Sequence, residues 1–245
     1  MDAASANQIE ITDRAKAMAW GVHLFTASGA VWGMLSLLAI FEGNWSLAFV
    51  WMGAALVVDS LDGFMARKAH VKTVLPNFDG ALLDNTVDYL NYVFVPALFL
   101  YQSNVLPANL ALLGPAAILL ASAYQFCQAN AKTDDHFFVG FPSYWNVVAF
   151  YLLLVQINPW ISLAIILALC VLVFIPFKYI YPTRTVRFQR LTLLVVGIWG
   201  GANLALLIQY PLVNMQIMAV SLACGIYYWG MSVFLMIDNK KRSTA

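Results

Sequence analysis

Long apolar runs limit what this chain can fold into before anything else does. There are about eight, near residues 18–41, 46–66, 80–101, 108–129, 142–157, 160–177, 191–209 and 213–237. A helix needs about 20 mostly apolar residues to cross a hydrocarbon core of about 30 Å. The expected fold is therefore all-α, a polytopic integral membrane bundle of about eight transmembrane helices. The fifth run is short, and only Asn158-Pro159 divides it from the sixth, so a re-entrant or strongly bent pair is also allowed there. Composition agrees, since 62% of the 245 residues are hydrophobic and 10% are charged.

The basic residues orient the bundle. With eight spans, all thirteen lysines and arginines fall on one side. The opposite loops, near Glu42–Asn44, Gln102–Pro107, Asn158–Pro159 and Gln209–Asn214, contain none. The positive-inside rule makes the basic side cytoplasmic, with both termini there. The first apolar run is too long for a signal peptide and follows Asp2, Glu10 and Asp13. Residues 7–16 suit a short interfacial helix or a free tail. Cys127, Cys170 and Cys224 are widely spaced within spans and read as small core residues. A net charge of +1 gives no reason to expect a nucleic-acid partner. No soluble domain, linker or repeat interrupts the chain, so residues 1–245 read as one membrane domain.

Against that background the stretch 57–90 is anomalous. It holds Asp59, Asp62, Asp79, Asp84 and Asp88. A carboxylate inside hydrocarbon costs roughly 2.5–3.5 kcal/mol even on the lenient insertion scale. Asp59, Asp62 and Ala66 are spaced to share one helix face, and Gly80, Asp84 and Asp88 to share another. Two antiparallel helices would bring four carboxylates together near the cytoplasmic end. Small Gly63, Ala66 and Gly80 would let a backbone or a ligand approach closely. Four carboxylates in a dry site must be partly protonated or hold cations. An all-oxygen set suits a hard divalent ion, Mg²⁺ or Mn²⁺. Arg67 and Lys68 add positive charge at the depth of a headgroup phosphate. The pattern fits a catalytic or a transport ion site. Asp79 breaks the spacing, follows Pro76-Asn77, and reads as a helix N-cap.

Asp59, Asp62-Gly63, Ala66-Arg67, Gly80, Asp84 and Asp88 together resemble the signature of the CDP-alcohol phosphotransferase family. Twelve residues separate Arg67 from Gly80, more than in most members. That gap is similar to the family's bacterial branch that joins choline to CDP-diacylglycerol and releases CMP. The stretches "LPNFDGALLDNTVDYLNYVFVPALFL" (75–100), "HFFVGFPSYWN" (136–146) and "YIYPTRTVRFQR" (179–190) also look like that branch. The resemblance implies that Asp59, Asp62 and Asp84 hold one or two divalent ions, Mn²⁺ or Mg²⁺, on the CDP pyrophosphate. Asp88 would be a further ligand, the general base, or both. Gly63, Ala66, Arg67, Gly80 and Thr26 would border the nucleotide, and His23 either joins them or is an interfacial polar residue. The family also implies a homodimer, in the bacterial inner membrane, with its active site facing the cytoplasm.

Choline's trimethylammonium group calls for aromatic faces and carboxylates. Tyr144, Trp145 and Tyr92 are the candidates, although aromatic belts mark every membrane interface. Arg184, Arg187 and Arg190 are expected to meet anionic lipid or the lipid substrate's phosphate. Two other readings remain open on the sequence. Serine or glycerol 3-phosphate could replace choline, or the acids could serve an ion-coupled transporter. A transporter would carry its acids near the midplane on broken helices, whereas these approach the cytoplasmic end.

Overall fold

The computed structural model describes residues 12–128, 137–180 and 188–243. Helix α1 (Asp13–Phe41) starts at Thr12, whose hydroxyl accepts from the Ala15 N–H at 3.2 Å. A tight turn returns the chain through α2 (Trp45–Lys68), capped by Asn44. A single helical turn, α3 (Val71–Val74), precedes α4 (Gly80–Tyr89). Asp79 is the α4 N-cap, as its position predicted: its carboxylate accepts from the Ala81 and Leu82 N–H groups at 3.1 and 3.0 Å. The backbone then widens into one π turn, Leu90–Phe94, and continues as α5 (Val95–Gln102).

A 3₁₀ turn leads into α6 (Leu113–Cys127). After it come β1 (Phe137–Val139), α7 (Trp145–Val155) and α8 (Pro159–Val173). The chain ends with β2 (Lys178–Ile180), α9 (Gln189–Gln209) and α10 (Met215–Ser243). The fold is all-α as expected, with one short two-stranded ribbon beside the helices. β1 and β2 pair antiparallel, with Phe138 opposite Tyr179. Gly140 ends β1 with φ +79°, and a side chain there would run into the Val173 carbonyl. Only glycine accepts both conditions.

Among the described residues, five helices are long and apolar enough to cross a membrane: Asp13–Phe41, Trp45–Lys68, Ala108–Cys127, Gln189–Gln209 and Met215–Asp238. The expected span 80–101 is helical throughout but changes type at the π turn. The expected fifth and sixth spans are short helices of 11 and 15 residues. Eleven residues rise only about 16 Å at 1.5 Å each. Gln156, in the left-handed region, stops α7, and Asn158-Pro159 starts α8. Large side chains such as Leu24, Leu120, Ile208 and Leu212 stand exposed, as a lipid-facing surface requires. Cysteine placement differs from expectation at one position. Cys170 is buried, but Cys127 is exposed at the end of α6. Residues 7–11 of segment 7–16, Lys132, Arg184 and Arg187 lie outside the described residues; Arg190 is exposed in the first turn of α9.

The main core joins α5, α6, α7 and α8 around Phe99, Ile118, Trp145 and Ile166. A smaller core of Ala19, Val22, Val71 and Val74 binds the start of α1 to α3 and the end of α2. This second core fixes one end of the molecule, and α4 begins there. Away from it, polar side chains tie α9 and α10 to α7. The Trp199 indole N–H donates to the Tyr151 hydroxyl at 2.9 Å, and Tyr151 shares a 2.6 Å hydrogen bond with Ser221. Ser221 also donates to Asn203 Oδ1 at 3.0 Å.

Candidate active site

Helix α1 packs against both α2 and α4 and brings their acidic stripes to the same end of the bundle. One oxygen from each of Asp59, Asp84 and Asp88 lies within 4.8 Å of the other two. All three side chains are partly exposed. Asp62 falls outside that three-way set. It is buried with its carboxyl beside Thr26, and Asp59 and Asp84 are its charged neighbours. A small cavity under the cluster is lined by Thr26, Gly29, Ala55, Val58, Asp59, Asp62, Val87, Asp88, Asn91 and Tyr92. The donors are all carboxylate oxygens, which Mg²⁺ and Mn²⁺ prefer. Their separations match one ion's ligand shell after small side-chain adjustments. The residues therefore fit a divalent metal.

The remaining candidates separate into those at the cluster and those away from it. A side chain added at Gly63 would meet the Arg67 guanidinium, at 3.3 Å. Arg67 itself is exposed in the last turn of α2. Ala66 instead packs against the small core of α1 and α3. Tyr144 is partly buried, with its ring 6.1 Å from Tyr92 and 6.3 Å from Phe138. Trp145 does not meet the expectation of an acceptor face. Its side chain is fully buried, its indole N–H donates to Ser122 at 2.7 Å, and its ring packs edge-on to Phe141. No face of it is left for a trimethylammonium group.

Gly80 serves a contact that the spacing did not reveal. A Cβ there would lie 2.6 Å from Cε1 of His23. The His23 ring is buried and packs against Trp20 and Phe78, with centroids at 5.9 and 4.5 Å, so moving it would disturb this aromatic group. Gly80→Ala is thus expected to overpack this joint at a cost of about 1–3 kcal/mol. A lower thermal transition in detergent would report it, and adding His23→Ala should recover most of the loss. A Gly80→Ala protein as stable as wild type but inactive would mean that substrate, not His23, needs the space.

Two further residues meet the cluster: Asn91, which the sequence did not point to, and Tyr92, which it offered only as an aromatic face for choline. Asn91 Nδ2 donates to the Gly29 and Val87 carbonyls, both at 3.0 Å, and links α1 to the π turn. Tyr92 donates its hydroxyl to Asp59 at 2.6 Å. A signal for Tyr92 was present, because it extends the Gly80, Asp84, Asp88 series by four more residues.

A sequence profile of the CDP-alcohol phosphatidyltransferase family matches residues 23–177. The chain belongs to that family. Among its relatives, the phosphatidylcholine synthase of Pseudomonas aeruginosa is 40% identical over 226 residues, covering 92% of this chain and 95% of that protein. The phosphatidylcholine synthase of Legionella pneumophila is 44% identical over 224 residues, covering 89% and 86%. That of Borreliella burgdorferi is 41% identical over 177 residues, covering 72% and 75%. Within the matched residues, the carboxylates of this CDP-alcohol phosphatidyltransferase lie on α2 and α4, at the end fixed by the small core. The match closes at Phe177, ahead of β2, α9 and α10.

Proposed function

We propose that this protein transfers the phosphatidyl group of CDP-diacylglycerol to choline, giving phosphatidylcholine and CMP. The observation that carries the reading is the convergence of Asp59, Asp84 and Asp88 in a chain so similar to phosphatidylcholine synthases. The protein sits in the bacterial inner membrane with eight membrane crossings, three of them on short or interrupted helices. Both termini and the carboxylate cluster face the cytoplasm, because all thirteen basic residues then lie on that side. Homodimerisation is the family's expectation for it.

Asp59, Asp62, Asp84 and Asp88 would hold the divalent ion, Mn²⁺ or Mg²⁺. When bound, that ion supplies positive charge against the pyrophosphate and the departing CMP. The chain's own groups do the rest. Thr26 steadies Asp62. Gly63 leaves space for the nucleotide, and Arg67 offers its guanidinium to phosphate oxygens at the cytoplasmic end. Choline's hydroxyl is a poor nucleophile until its proton is removed. Asp88 takes that proton as the choline oxygen bonds to the phosphorus bearing diacylglycerol, and the bond from that phosphorus to CMP breaks. Tyr144 and Phe138 offer ring faces to the trimethylammonium group.

Purified protein given CDP-diacylglycerol with choline, serine or glycerol 3-phosphate in parallel tests the acceptor. Choline turnover with stoichiometric CMP is the expected outcome. Turnover of serine or glycerol 3-phosphate with choline untouched would move the protein to another branch of its family. No CMP from any acceptor would remove the enzymatic reading.

A further inference from the structure

Tyr92 is buried, 7% exposed, yet its hydroxyl reaches a charged partner on another helix. The contact, 2.6 Å from Tyr92 Oη to Asp59 Oδ2, is short, as charge-assisted O–H···O⁻ bonds are. The helix is built to make it. On an ideal α-helix each four-residue step overshoots by about 40°. By the third step after Gly80 a side chain would have left the acidic stripe. The π turn at Leu90–Phe94 widens the helix just beyond Asp88 and swings Tyr92 back. Asn91 secures the widened turn to the Gly29 and Val87 carbonyls.

We propose that Tyr92 is a positioning residue: its hydroxyl fixes the Asp59 carboxylate so that Asp59 joins Asp84 and Asp88 as one metal-binding face. This rests on the metal-dependent reading above, and it takes Tyr92 out of the acceptor site. The phenol holds one Asp59 oxygen and so sets the angle at which the carboxylate meets the cluster. Without the hydroxyl, the carboxylate is free to rotate within the half-open site, and its orientation must be recovered each time an ion binds.

The test measures Mn²⁺ binding directly, by the electron paramagnetic resonance signal of free Mn²⁺ over detergent-purified protein without substrates. Wild type, Tyr92→Phe, Asp59→Asn and the double variant are compared. Loss of an outer partner of a metal ligand typically costs about 10–100-fold in affinity, which is the expected weakening for Tyr92→Phe. The same change should do little in the Asp59→Asn background, and the KM for choline should stay at the wild-type value. Wild-type protein that binds no Mn²⁺ overturns the metal reading and this inference with it. Wild-type binding matched by Tyr92→Phe overturns this inference alone. Equal losses in both backgrounds overturn it too, because the hydroxyl would then act elsewhere. A raised choline KM with intact Mn²⁺ affinity returns Tyr92 to the acceptor site.

Discussion

Asp88→Asn is expected to leave the protein folded and able to bind CDP-diacylglycerol with metal, while turnover falls by about 10²–10⁴-fold. Asparagine keeps the shape of the side chain and can still present an oxygen to an ion. It cannot accept a proton at neutral pH. Asp88 sits on α4 with an oxygen within 4.8 Å of those of Asp59 and Asp84, so two functions are compatible with its place. The contrast with Asp59→Asn separates them. That variant removes a charge from the three-carboxylate cluster and should weaken metal and nucleotide binding first. Nucleotide affinity titrated at saturating Mn²⁺ provides the comparison. If Asp88→Asn loses binding as badly as Asp59→Asn, Asp88 is chiefly a ligand. If it turns over normally, the base is another group.

Chelation should have an effect of comparable size. Exhaustive treatment with EDTA is expected to reduce turnover by about 10³-fold or more, since an ion on a transferring phosphoryl group contributes several kcal/mol and each 1.36 kcal/mol is tenfold. Mn²⁺ or Mg²⁺ should restore the rate. Ca²⁺ should restore little, because it takes 6–8 oxygens at 2.3–2.6 Å and matches a compact carboxylate set poorly. Chelated protein that keeps full activity would remove the metal from the reaction. The residue that takes choline's proton would then have to be sought without a cation beside it.

The acidic stripes and the Asp79 cap were legible because their signals are local. Spacings of three and four within one helix, and a carboxylate just before a helix start, need no knowledge of the rest of the fold. The five long apolar helices were legible for the same reason. What was not legible depends on partners far along the chain. Trp145 reads as an interfacial aromatic until Ser122, on another helix, accepts its N–H. Gly80 reads as a substrate gap until His23 fills it. The π turn leaves little local trace, since Leu90–Phe94 is as apolar as an ordinary membrane helix and its widening is held by Asn91 reaching α1. The short ribbon β1–β2 joins segments about 40 residues apart. Hydropathy also counts the length of an apolar run without seeing where its helix stops, and so α7 was expected to be longer than it is.

The hydrogen bonds that link Trp199, Tyr151, Ser221 and Asn203 bear on how α9 and α10 keep their place. Between helices in lipid there is no hydrophobic force to choose one rotation over another, and smooth apolar faces can slide past each other. Directional bonds do choose. Turning α9 about its axis breaks the Trp199 and Asn203 contacts together, and shifting α10 by one turn removes Ser221 from both of its partners. These few side chains act as a lock on register for the two helices beyond Phe177.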